Sequence, residues 1–361
     1  MHREIAYTVR FPEAAAHRLE VEARVPVPQG RRGRVELMLP VWTPGSYLVR
    51  EFARQVETIE AAGGEDGRPL AVVKSRKNRW TVDAAGAREI VVRTRLYARE
   101  MSVRTNFVDA GFALVNGAST FLTRVDDGRP AAVPHRVTVE LAPAWPAVFC
   151  ALPRDDGGAS GEPGPGGRAV FLAAGYDELV DAPLYAGDPD VRRFVAGGAE
   201  IELVSEGGGG VWDFARAARD VEAIVHAQAE LWGDLPFARF LVLNLVAEGY
   251  GGLEHADSTV LLTSRWKAGS ERGWRDWLGL VSHELFHAWN GKRLRPAELG
   301  PFDYESEAPT RTLWFVEGVT SYYDDLVLRR AGLSTDEQYL ARLAETAERI
   351  ETAPGREVQS L

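Results

Sequence analysis

The chain has 361 residues, 42 Lys plus Arg against 52 Asp plus Glu, a formal net charge of -10 and 45% hydrophobic residues. That composition excludes a disordered, collagenous or disulfide-stapled chain, and its negative balance argues against nucleic acid as a partner. A single core stops growing at roughly 250 to 300 residues, so two domains are expected.

The opening run MHREIAYTVRFPEAA carries Glu4 and lacks the apolar stretch of a secretory leader. No segment approaches the roughly 18 to 20 apolar residues of a membrane span, and the expected compartment is the cytoplasm. Through the first 150 residues apolar side chains alternate in twos, as in Val35, Leu37 and Leu39, or Val137, Val139 and Leu141. Pro and Gly cut these runs too often for intervening helices. The pattern predicts an all-β, antiparallel, sandwich-like first domain. Cys150 is the one cysteine and reads as a buried small hydrophobe. The stretch from Pro153 to Gly167 is dense in Gly and Pro, and predicts a mobile surface loop.

A last β-like run, AEIELVS, precedes an expected helix over 212–232, where Phe214, Ala218, Val221, Val225, Ala229 and Trp232 share one face. Then come a strand over 240–246, the Gly-rich turn EGYGGLEH and a strand STVLL. Helices are expected over 274–292, 313–330 and 335–350, the last opened by a capping box of Ser334 and Glu337. The boundary is placed near Pro183, giving a β domain over 1–183 and an α+β domain over 184–361.

The chemistry concentrates in His283-Glu284-Leu285-Phe286-His287. Two histidines at i and i+4 on a helix converge on one Zn²⁺, and the intervening Glu284 borders the open coordination position as a general base. A third ligand is needed. Glu317 stands alone among the apolar residues Trp314, Phe315 and Val316, where a buried carboxylate is costly unless paired or metal-bound. The bland alternative is a solvated Glu on an amphipathic helix. Upstream, Gly251 and Gly252 let a substrate backbone approach, and Glu254 just beyond them can hold a cationic substrate end. An ordinary turn is the competing reading. His255 is either a polar rim residue or a transition-state donor. Asn290 either orients a ligand or caps its helix, Lys292, Arg293 and Arg295 close that helix, and Trp42 to Tyr47 reads as a turn with aromatic packing.

HELFHAWNGKRLRP, LWFVEGVTSYY, YGGLEH and VWTPGSYLVREF together resemble the glycyl aminopeptidase family of thermolysin-like (gluzincin) zinc metallopeptidases. The resemblance implies a β domain, a thermolysin-like catalytic domain and usually a PDZ domain. It implies that His283, His287 and Glu317 hold one Zn²⁺, that Glu284 is the base, that Glu254 binds the substrate α-amine, and that Gly251 and Gly252 contact its main chain. Peptides with a free N-terminal glycine or alanine are the implied substrates. Family members carry further helices after the third ligand, with a tyrosine that stabilises the oxyanion. A chain ending at Leu361 is therefore expected to be a catalytic domain truncated at its C-terminal end, with Tyr322 and Tyr323 as the phenols at hand, read as core packing. The leading expectation is a zinc aminopeptidase. Its alternatives are a thermolysin-like endopeptidase and a truncated, non-catalytic zinc-containing peptide-binding protein.

Overall fold

In the computed structural model, which describes residues 4–28, 33–155 and 162–358, the alternating runs of the first half become strands with one face inward. Ile5–Arg10 and His135–Glu140 each alternate strictly between buried and half-buried residues. A seven-stranded sheet runs in the order Arg168–Ala173, His135–Glu140, Ile5–Arg10, Arg18–Pro26, Glu89–Tyr97, Val56–Gly63, Pro69–Leu70. A five-stranded sheet containing Arg34–Met38 and Arg79–Asp83 shares its core, along with part of a four-stranded sheet. The antiparallel expectation needs one correction, because Ile5–Arg10 pairs parallel with His135–Glu140. Long-range chain return makes that possible: more than a hundred residues separate the two strands, ample for a crossover. Cys150 is buried, and burial pushes its thiol up to about 11, which removes it from nucleophilic chemistry. Of the expected loop over 153–167, residues 156–161 lie outside the described residues.

Leu184–Gly187, assigned by the sequence reading to the second domain, pairs instead with Ala147–Cys150 and Ala113–Val115 of the first. The change of sheet falls between Gly187 and Asp190. The second lobe is built on a mixed sheet in the order Asp190–Ala196, Ala199–Gly207, Arg239–Ala247, Ser258–Ser264, Gly251–Glu254. Its middle three strands are parallel. Such strands are covered on both faces and read as continuous apolar runs. In Arg239–Ala247, Phe240, Val242 and Val246 enter the core beneath the helices, while Leu241, Leu243 and Leu245 enter a second core shared with Phe112, Leu114, Phe149 and Tyr185 of the first lobe. The lobes are thus packed against one another through a common apolar layer.

Helix Phe214–Trp232 starts where the Asp213 side chain accepts from Arg216 N and stops at Gly233 in the left-handed region. Helix Glu271–Phe286 begins earlier than expected, capped by the Ser270 hydroxyl on Gly273 N. It also ends six residues sooner, so Lys292, Arg293 and Arg295 lie beyond it. Leu313 to Arg330 is not one α-helix: Trp314–Val319 is π-helical and Thr320–Arg330 is α-helical. The last helix, Asp336–Thr352, is opened by a capping box one residue along from the expected pair, with Thr335 on Gln338 N and Gln338 Oε1 on Thr335 N. No helix among the described residues is long and apolar enough to cross a membrane.

Candidate metal centre

The first histidine stands in the last turn of Glu271–Phe286 and the second at its C-cap, still with helical dihedrals, so the i, i+4 geometry holds. Their Nε2 atoms are 3.0 Å apart. Each Nδ1 is already used. His283 Nδ1 donates to Asp324 Oδ2 at 2.9 Å, and His287 Nδ1 donates to the Asn290 carbonyl at 2.7 Å. With a proton on Nδ1, each ring in its neutral form turns an Nε2 lone pair toward the same point, so a proton or a metal cation must lie between them to relieve the repulsion. Glu317 Oε2 reaches that point from the π-helical turn, 3.5 Å from His283 Nε2 and 3.7 Å from His287 Nε2. A tetrahedral ion with bonds of about 2.0 to 2.1 Å holds its ligand atoms roughly 3.3 Å apart, so the three donors fit one Zn²⁺. Among the described residues they form one of two His/carboxylate groups compact enough for a metal; the other is Glu254, Glu284 and His287.

Charge at the site follows from this convergence. Burial disfavours a protonated His283, yet Asp324 and Glu317 push its pKa up to about 10. Burial would raise Glu317, but the two histidines hold it well below the usual carboxylate range. The Glu317 side chain is 45% exposed, beside an exposed Trp314 and Phe315. The expectation of a buried acid was therefore mistaken in its reason. What distinguishes Glu317 is its aim. Burial, reinforced by the neighbouring Glu254 carboxylate, pushes Glu284 up to about 7, where a group can both take and return a proton near neutral pH.

Gly251–Glu254, expected within a turn, is the edge strand of the sheet, paired antiparallel with Ser258–Ser264; the turn is confined to the residues before it. Gly252 lies directly against the Glu284 carboxylate, where a Cβ would collide with it. Glu254 is buried, and among the described residues it forms no ion pair with a Lys or Arg. Its carboxylate is covered by the turn Thr43–Ser46 of the first lobe: a Cβ on Gly45, whose φ of +89° is left-handed, would stand 2.7 to 2.8 Å from its Oε2, Cδ and Oε1. Tyr47 lies alongside, its phenol pushed up by burial and by Glu254.

Several residues have roles that sequence reasoning missed or misread. Asp324 carried a signal, since it lies seven residues after Glu317 in the same helical run. The segment Trp42 to Tyr47 does pack aromatically, with Trp42 against Tyr47, Phe302 and Tyr304, but it also roofs Glu254. His255 is no rim residue. It is 1% exposed and bonds Asp181 through Nδ1 at 3.0 Å. Lys292 pairs with the same Asp181 at 2.7 Å rather than serving the helix end. Asn290 bears on His287 through its backbone carbonyl, and its side chain does not cap its own helix but donates to the carbonyls of Phe315 and Val316. Tyr323 stacks on Phe286 as core packing, whereas Tyr322 is 49% exposed and is not core.

Residues 6–188 match the Peptidase M61 N-terminal domain and residues 276–361 match the M61 glycyl aminopeptidase domain. A solved structure of an aminopeptidase N family protein from Idiomarina loihiensis is 33% identical, with a TM-score of 0.84 over 93% of this chain and 56% of its own. The chain thus spans little more than half of that relative. A solved aminopeptidase A of Legionella pneumophila, in complex with aspartic acid, is 13% identical with a TM-score of 0.55 over 91% of this chain and 38% of its own, a likeness of fold alone. No curated protein matches. The chain belongs to the M61 peptidase family.

Proposed function

We propose that the chain is a zinc-dependent aminopeptidase with a thermolysin-like second domain, removing small N-terminal residues from peptides. The observation that carries the reading is Glu254, a buried carboxylate with no Lys or Arg partner among the described residues, set beside the proposed base Glu284 and the proposed ligand His287. A free α-amine is the substrate group that answers it. The description of the Idiomarina loihiensis relative as an aminopeptidase N family protein supports the same reaction.

His283, His287 and Glu317 would hold the zinc, which supplies a Lewis acid for the scissile carbonyl and a lowered pKa for water. Glu284 takes a proton from the attacking water and returns it to the leaving amine. Glu254 fixes the α-amine, which sets the first peptide bond, and no later one, in front of Glu284. The Gly45 turn closes the space behind Glu254, so a peptide cannot continue past its own N-terminus. This crowding also suits the preference for glycine or alanine that the family resemblance implies.

The test compares free and N-acetylated glycyl and alanyl peptides, with Glu254→Ala beside the parent chain. Disrupting a desolvated charge pair costs about 2 to 5 kcal/mol, so kcat/KM for free peptides should fall at least about 30-fold with zinc retained. Equal cleavage of blocked and free peptides would make the chain an endopeptidase with Glu254 as cleft lining. Binding without cleavage would leave a peptide-binding protein.

A further inference from the structure

Two arginines of the first lobe stand beside the edge strand with donors to spare. Arg104 donates from Nε to the Ser46 hydroxyl at 3.1 Å and from Nη2 to the Gly252 carbonyl at 3.3 Å. Arg50 donates from Nη2 to the same Ser46 hydroxyl at 2.9 Å. A guanidinium carries five N–H donors, so among the described residues most remain unspent, including an Arg50 Nε that is buried with no hydrogen-bond partner. Burial and then Arg104 act against the charge on Arg50; Glu100 acts the other way, but its carboxylate is engaged by Arg54 at 2.9 Å. Two like charges converging on one hydroxyl repel each other, and an anion bound between them relieves the repulsion.

Their position along the cleft gives the anion an identity. Gly252 lies against Glu284, and Glu254 is two residues further on. At about 3.3 Å per residue, the carbonyl held by Arg104 is roughly 7 Å along the strand from the proposed amine site. Arg104 Nη1 also lies 3.8 Å from where a Gly251 Cβ would be, further along in the same direction. An extended dipeptide spans about the same length from amine to carboxylate.

We propose that Arg104 and Arg50 form a subsite for a carboxylate on the leaving-group side of the scissile bond, so that preferred substrates carry an anionic group about two residues from their free amine. This rests on the reading that Glu254 takes the α-amine. The carboxylate has two sources of one chemistry: the C-terminus of a dipeptide, or an Asp or Glu side chain just after the cleaved bond. Ser46 holds both guanidiniums at a fixed spacing, and Arg104 ties that spacing to the strand along which the peptide lies.

The test is calorimetric binding to the zinc-loaded Glu284→Gln chain, so that no turnover intervenes, with Gly-Gly, Gly-Gly-amide, Gly-Asp-amide and N-acetyl-Gly-Gly as probes. Gly-Gly should bind at least about tenfold more tightly than its amide, and Arg104→Gln should bring the ratio near one, with Arg50→Gln lowering it. Recovery of affinity by Gly-Asp-amide assigns the subsite to acidic side chains as well as termini; its failure to recover assigns it to termini alone. The proposal is overturned if acid and amide bind within about twofold, if the ratio survives both substitutions, or if Gly-Gly shows no binding at millimolar concentration. If N-acetyl-Gly-Gly binds as well as Gly-Gly while the acid preference persists, the amine reading fails and the carboxylate subsite stands.

Discussion

His283 and His287 owe their orientation to groups outside the proposed ligand set, Asp324 and the Asn290 carbonyl. Partners of this kind fix tautomer and ring angle, and their loss costs about 10- to 100-fold in metal affinity. Asp324→Ala should weaken zinc binding by that factor, measured by competition with a chromogenic chelator; an unchanged affinity removes Asp324 from the site. Glu284→Gln makes the opposite demand. It preserves shape, should leave zinc stoichiometry intact, and should lower peptide cleavage at least about 10²-fold. Loss of zinc in that variant would make Glu284 a ligand instead of the base. The two histidines were legible because helical spacing is a local property. For Asp324 the seven-residue spacing from Glu317 was too weak a signal, since an acid in a helix is usually solvated and only the tertiary fold turns it onto an imidazole.

At the scale of elements, the edge strand Gly251–Glu254 lines the proposed cleft. The glycine pair suggested room for a substrate backbone. At Gly252 that room is taken by Glu284, whose carboxylate occupies the place of a Cβ. Gly252→Ala should therefore displace Glu284, the proposed base, with kcat falling at least about 10²-fold and zinc retained. Full activity in this variant would mean that Glu284 has slack the structure does not show. Sequence pattern located most helices and strands of the second lobe, because apolar periodicity survives without context. It missed the π-helical turn Trp314–Val319, which adds a residue to the helical repeat and carries Glu317 toward the histidines. It also drew Glu271–Phe286 too long, since the polar run after it continues a helical composition while its backbone turns back through Asn290.

Across the whole molecule, the proposed cleft is a joint property of both lobes, because the Gly45 turn and Arg104 come from the first and every proposed ligand from the second. Their alignment depends on the shared apolar layer and on Asp181, which crosses the junction. Asp181 accepts from Lys292 Nζ at 2.7 Å, His255 Nδ1 at 3.0 Å and Ala256 N at 2.9 Å. Burial alone would raise its pKa, yet Lys292 and His255 hold it down at about 2. A folded-state pKa below the unfolded value of about 3.9 contributes stability that is complete above that value and is lost as pH falls toward 2. The linkage is worth roughly 2 kcal/mol. Asp181→Asn leaves Lys292 largely buried without its carboxylate, which should cost about 3 to 5 kcal/mol at neutral pH. It should also flatten the fall in stability between about pH 4 and pH 2. Urea unfolding at pH 7, 4 and 2.5 reads both effects, and Asp181→Asn combined with Lys292→Met should recover part of the loss, as expected for residues in one pair. A variant within about 1 kcal/mol of the parent at pH 7, with the acid slope unchanged, would show that the apolar layer alone holds the lobes in register.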